Sequence, residues 1–336
     1  MVWWFIQGRP PPGHTNHVPY RPTRCSTAKG DSVTDSTTQH NLFAPRHWPS
    51  WIGIGLLRLA WLLPYRPRMA LGRALGRLVL RLASRRARIA RINLELCFPE
   101  LDPQAQQLLL KQHFESLGMG LMETLMAWWD DGKSLSQRVE FHGLEELQKR
   151  LDAGQGVILL TAHFTTLEIG ARFLMRYFPK PYCVYRPNQN PIIDQQIING
   201  RTGQGAVMIA RDNVREMIRQ LRKGRLLWYA PDQNYGHKYS LFVDFFGIPA
   251  ATNSATSRLA QMGQAQVVAY YCRRKPDLSG YQIRFEPIPE IPSGDPFEDT
   301  TRINQTFERW ARESPADYFW LHRRFKDRPE GEERFY

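Results

Sequence analysis

His163 and Glu168 lie five positions apart in TAHFTTLEIG, Thr161 to Gly170, with apolar residues and threonines between and around them. Residues five apart on one regular helix point about 140° away from each other. The carboxylate can reach the imidazole only if a strand-to-helix turn folds between them. A carboxylate bound to one ring N–H fixes the tautomer and stabilises the imidazolium, which frees the other nitrogen to accept a proton. No serine or cysteine neighbours the pair, so the hydroxyl it would activate has to come from a substrate. Taken alone, His-x4-Glu is a weak pattern, and a hydrogen-bonded histidine closing a buried strand accounts for it better.

The elements around the pair point to a site. GVILL ends just before it, and PYCVY, LLWYA and QVVAYYC repeat the same short apolar run later in the chain. Helical stretches such as LEIGARFLM separate them, which predicts an α/β fold: a single catalytic domain whose largely parallel sheet is flanked by helices. His163 then falls at the carboxyl end of a strand, with Glu168 in the first turns of the next helix. Such ends are where α/β folds bind ligands. YRPNQNP follows PYCVY and carries Arg186, and YAPDQNYG follows LLWYA and carries Asp232. FFGIPAATNSATSRLA reads as a loop entering a Ser/Thr-capped helix. No P-loop or G-x-G-x-x-G stands between a strand and a helix, so nucleotide binding has no support.

The N-terminal third differs in character. Residues 1–44 are polar and rich in Pro, Ser and Thr, and read as a disordered extension of a kind an unused upstream start codon would add. Residues 45–64 contain WPSWIGIGLLRLAWLLP, an expected hydrophobic anchor helix at the short limit for a span, with Arg58 near its middle. A full span and an interfacial anchor are both compatible with it. Residues 65–336 are the catalytic domain, opening on a basic amphipathic helix over 66–91 that holds nine arginines and no acid. LLLKQHFESLGMGLMETLMAWW predicts a further helix to Trp129, capped by Asp102-Pro103. The whole chain has 45 Lys and Arg against 32 Asp and Glu, a formal +13, which favours anionic partners. Cys25, Cys97, Cys183 and Cys272 are too scattered for a disulfide framework or a zinc site.

In combination, HFTTLE, YRPNQNP, ARDNVREMIRQLRKG, WYAPDQNYG, FFGIPAATNSATSRLA and YFWLHRRFKDRPEG resemble the lipid A biosynthesis lauroyl acyltransferases, as do INLELCFPE and ESLGMGLMETLMAWW. The resemblance runs from about Pro45 to the C-terminus. The His-x4-Asp/Glu box by itself marks a wider superfamily that includes the glycerol-phosphate acyltransferases, whose fold the resemblance implies here. It further implies acyl transfer from acyl carrier protein to a hydroxyacyl hydroxyl of Kdo-bearing lipid IVA, at the cytoplasmic face of an anionic inner membrane. His163 would be the general base and Glu168 its orienting carboxylate. Arg186 and Asp232 match family positions near the site. Arg201 and Arg211 match arginines that could bind phosphate, sugar acid or the developing oxyanion. No cofactor, metal or nucleic acid is implied, since a thioester donor is already activated. The same chemistry with another chain length, or on a phospholipid or glycolipid acceptor, stays open. A non-enzymatic basic module would instead depend on the arginines and not on His163. Phe164-Thr165-Thr166 stand inside the box where family members often have glycine or other small residues.

Overall fold

The computed structural model describes residues 42–130, 135, 137–178, 180–237, 240–288 and 290–336. Nearly all of the expected N-terminal extension, Cys25 included, lies outside the described residues. Helices α1 (Trp48–Trp61), α2 (Tyr65–Leu82), α3 (Ser84–Cys97) and α4 (Pro103–Trp129) precede the sheet. Then come β1 (Val139–His142), α5 (Leu144–Asp152), β2 (Gly156–Leu160), α6 (Leu167–Tyr177), β3 (Tyr182–Tyr185) and α7 (Pro191–Thr202). β4 (Val207–Ala210), α8 (Val214–Arg222), β5 (Leu226–Tyr229), β6 (Ser240–Phe245) and β7 (Ile248–Asn253) follow. The described chain closes with α9 (Ala255–Gly263), β8 (Ala265–Arg274), β9 (Tyr281–Pro287), α10 (Pro296–Glu313) and an irregular C-terminal segment.

Seven strands form one sheet in the order β1-β9-β8-β2-β5-β3-β4. Only β8 and β9 pair antiparallel within it, so the expected largely parallel α/β sheet is what the residues build. β2 lies at the centre, and all five residues of GVILL are buried. A continuous apolar run suits a strand covered by helices on both faces. Alternate residues serve two cores: Ile158, Leu160, Val267 and Ala269 on one face, Val157, Leu159, Val268 and Tyr270 on the other.

Two local expectations are revised. The stretch read as a loop from Phe245 forms the β6–β7 hairpin, because Phe246 (φ 56°) and Gly247 (φ 71°) both adopt left-handed backbone, as a tight primed turn requires. The basic run over 66–91 is not one helix but parts of α2 and α3, broken at Ala83 (φ −96°, ψ 58°). The halves bury different partners. α2 lays Met69, Gly72 and Gly76 on α4, so closely that a Cβ on Gly76 would stand 2.0 Å from the Phe114 carbonyl oxygen. α3 buries Ala87, Ala90 and Leu94 in the core that also holds Trp320. The predicted α4 start holds, with Asp102 accepting from the Ala105 N–H at 2.8 Å.

Among the described residues, no helix is long and apolar enough to cross a membrane. The expected anchor stops at 14 residues, about 21 Å of helix against a hydrocarbon core of about 30 Å.

Two histidines, His113 buried and His322 partly buried, make the fold acid-sensitive. Burial holds the His113 imidazole down to about 4, against the pull of the Ala316 carbonyl, which its Nδ1 meets at 3.0 Å. Burial also lowers His322 to about 3; Asp232 opposes this, while Arg324, His163 and Arg86 add to it. Below an unfolded value of about 6.5 the unfolded chain takes up protons that the folded chain refuses. Stability is therefore full above that pH and falls as pH drops towards 4. A melting temperature unchanged between pH 7.5 and 4.5 would contradict this; a shallower decline is expected for His113→Gln.

Candidate active site

β2 and β5 are parallel neighbours with Leu160 registered on Tyr229. His163 stands three residues beyond the first and Asp232 three beyond the second, so equal overrun brings them together at the carboxyl edge. One Asp232 oxygen accepts the His163 backbone N–H at 2.9 Å, and the other meets the ring Nδ1 at 2.5 Å. The clamp holds both the backbone and the ring plane. It assigns the proton on Nδ1 and leaves Nε2 as the basic nitrogen. Asp232 is buried (3% exposed), whereas the His163 side chain is 24% exposed and open to a substrate. Burial would push the Asp232 carboxyl up; the His163 charge and its two hydrogen bonds, helped by Arg324, outweigh that and hold it below the usual carboxylate range.

The histidine turn is held from the other side as well. His163 O accepts from Phe319 N at 2.9 Å, Thr165 N donates to Asp317 O at 2.8 Å, and the Thr166 hydroxyl donates to Cys272 O at 2.6 Å. His322 Nε2 accepts the Asn234 backbone N–H at 2.9 Å, and the Asn234 side chain donates to Asp327 at 2.6 Å. The C-terminal segment thus holds the loop that carries Asp232.

Glu168 sits in the first turn of α6, buried, but its carboxylate turns to Arg201 of α7. Arg201 donates to it at 2.6 and 3.3 Å, and Trp128 Nε1 donates at 3.1 Å. Burial raises the Glu168 carboxyl, and the Arg201 guanidinium more than reverses this, leaving it below its ordinary range. The contact expected between Glu168 and His163 is therefore replaced by one between Asp232 and His163. The physical reason is register: Glu168 is carried away by the turn of α6, while the β5 loop runs alongside. Arg201 is spent on Glu168 and stacks 5.4 Å from the Trp228 ring, inside the fold. Arg186 is exposed on the loop after β3. Arg211, also exposed, leaves β4 bonded through its N–H to Tyr185 O, with its guanidinium 5.9 Å from the Tyr235 ring. Both therefore belong to the carboxyl edge that holds His163. Among the described residues no three His, Cys, Asp or Glu side chains are grouped to hold a metal ion.

Sequence reasoning missed Arg274, at the end of β8. It is buried and donates to both Glu123 oxygens at 2.6 Å, to Ser116 at 3.0 Å and to Asp317 at 3.1 Å. Its only sequence signal was an arginine ending an apolar strand, a pattern shared by many surface residues.

The profile of bacterial lipid A biosynthesis acyltransferases matches residues 36–327. The chain belongs to that family. It is 43% identical over 292 residues to the lipid A biosynthesis lauroyltransferase of Escherichia coli K12, covering 86% of this chain and 95% of the relative. It is 36% identical over 294 residues to the palmitoleoyltransferase of the same organism, covering 87% and 95%. A Haemophilus influenzae lipid A biosynthesis acyltransferase is 37% identical over 300 residues, covering 87% and 94%. The protein is thus an acyltransferase of lipid A biosynthesis, and the resemblance read from its boxes holds along the chain.

Asp232→Asn tests the clamp. An amide no longer demands the Nδ1–H tautomer, so turnover is expected to fall at least about 10²-fold with the fold kept. Activity within a factor of about three of the parent, in a folded variant, would remove Asp232 from this role.

Proposed function

We propose that the enzyme transfers a fatty acyl chain, lauroyl, from acyl carrier protein to a hydroxyacyl hydroxyl of Kdo-bearing lipid IVA, at the cytoplasmic face of the inner membrane. The observation that carries the reading is the His163–Asp232 pair, its imidazole partly exposed and bonded through Nδ1, in a chain of this family. An alcohol ionises far above pH 7, so it needs a base in the transition state. Nε2 takes the acceptor's hydroxyl proton as its oxygen bonds to the thioester carbonyl carbon. Negative charge gathers on the carbonyl oxygen, where a backbone N–H or an exposed arginine of this edge can stabilise it. Collapse breaks the C–S bond, and the departing thiolate takes the proton back from the imidazolium. Histidine ends as it began, and the thioester needs no cofactor to activate it.

Arg186 and Arg211 suit the phosphates and sugar carboxylates of such an acceptor. The formal +13 suits an acidic carrier protein and an anionic membrane. The lauroyl reading follows the 43% relative; the 36% relative, named for palmitoleoyl transfer, supports a longer donor as the second reading.

The test offers membranes containing the enzyme carrier proteins loaded with C10 to C16 chains. Kdo-lipid IVA and a glycerol-phosphate acceptor are supplied side by side. A new ester on lipid IVA alone, made with C12 and lost in His163→Ala, is the expected result. Transfer to glycerol phosphate instead would overturn the acceptor, and preference for C16 would overturn the donor.

A further inference from the structure

We infer that Arg324 is a positioning residue of the acyl transfer: from the C-terminal segment it supplies the fixed positive charge that keeps Asp232 an anion while His163 is neutral. The inference rests on the general-base reading of His163 and is independent of acceptor and chain length. Arg324 is 2% exposed. It donates to Ala251 O at 3.0 Å and to Thr252 Oγ1 at 2.6 Å, both on β7, and to Asn304 Oδ1 of α10 at 3.4 Å. Its Nε meets no acceptor, and among the described residues no carboxylate pairs with it. A guanidinium keeps its charge even when buried, and a buried cation without a counter-ion is costly.

Asp232 has the opposite imbalance. Among the described residues its ion-pair partner is His163, which carries a charge only when protonated. With a neutral imidazole the carboxylate is a buried anion with no cation in contact, and such a group tends to take up a proton. A protonated Asp232 would no longer fix the hydrogen on Nδ1. The chain sets the two charges side by side. His322 Nε2 accepts the Asn234 N–H, and Asp327 accepts from the Asn234 side chain, so the segment around Arg324 is tied on both sides of it to the loop of Asp232. The guanidinium lies 5.3 Å from the Phe245 ring centroid, and Tyr318, 5.7 Å from the same ring, faces both Asp232 and Arg324.

The other groups nearby are uncharged at neutral pH. Arg324 faces Tyr318, Asp232, Cys97 and Tyr336, and burial pushes the two phenols and the thiol up. His322, which faces Asp232, His163, Arg324 and Arg86, is held neutral by its burial. Asp232 is the carboxylate of this set. Its separation from Arg324 matters as well. A guanidinium in contact would draw an Asp232 oxygen out of the clamp on the His163 N–H and ring. Three neutral acceptors hold Arg324 back, so it acts on the charge and not on the hydrogen bonds.

The experiment measures kcat/KM against pH for the full chain in detergent, beside a melting curve of each preparation. Without the nearby cation the His163–Asp232 pair holds a proton more tightly. In Arg324→Gln the acid limb should therefore move up by about 1 pH unit, an about tenfold loss below the limb that shrinks above it. Arg324→Lys keeps the charge and should bring the limb back to within about 0.3 pH unit of the parent. Asn304→Asp leaves Arg324 in place but gives it a carboxylate, and should move the limb as glutamine does; it decides the matter where Arg324→Gln does not fold. A loss of rate equal at every pH, with the limb unmoved, would make Arg324 a purely structural residue and overturn the inference. A limb displaced as far by lysine as by glutamine would overturn it too. A parent profile with no acid limb would remove the general-base reading together with this one, whereas a limb that is present and unmoved removes this one alone.

Discussion

His163→Ala is expected to lower turnover by about 10²- to 10⁴-fold while the protein still folds. The ring hydrogen-bonds Asp232 through Nδ1 and is partly exposed. The backbone bonds of the turn, from His163 N to Asp232 and from Phe319 N to His163 O, do not need the imidazole. Loss should therefore appear in kcat more than in KM, because both substrates keep their binding groups and only the proton acceptor is gone. Steady-state transfer to Kdo-lipid IVA, beside a melting curve for the same preparation, measures both halves. A folded variant that works at near-parental rate would end the general-base mechanism and turn TAHFTTLEIG back into a satisfied strand end.

Arg274→Met should cost about 3–5 kcal/mol of stability. The guanidinium forks both oxygens of Glu123, which is fully buried, and reaches Asp317 on the other side. Tyr281 adds a hydroxyl to Glu123 at 2.9 Å. Methionine fills much of the space but leaves two carboxylates without their cation, and a buried unpaired charge is far costlier than an absent pair. Arg274→Lys should recover only part of the loss, since a point ammonium cannot span both carboxylate oxygens. Denaturant unfolding in detergent reads the difference; a loss under about 1 kcal/mol would mean that water reaches the cluster. Activity should fall too, because Asp317 and Ser116 in this cluster hold Thr165, two residues from His163.

Strand runs such as GVILL and LLWYA were legible because a parallel sheet covered on both faces demands unbroken apolar residues, and that demand is local. The α4 start was legible for the same kind of reason, since Asp102 and Pro103 act within one turn. The break at Ala83 was not legible, because arginines continue at helical spacing through it. What divides α2 from α3 is the partner each buries. The hairpin at Phe246-Gly247 was hidden by its neighbours, a proline and a run of small polar residues that read as loop.

At the site the division is sharper. The order of residues is enough to show that a histidine ends a buried strand, that polar loops recur after the strands beside it, and that the chemistry needs a substrate hydroxyl. It also carried the family, since the boxes are contiguous residues. Which carboxylate serves the histidine is settled by the folded arrangement. Glu168 is five residues away along the chain, but the helix turns it to Arg201. Asp232 is 69 residues away, yet the register of two neighbouring strands sets its carboxylate against Nδ1. Separation along the chain says little about which side chains meet, because strand pairing is set by the burial of whole faces.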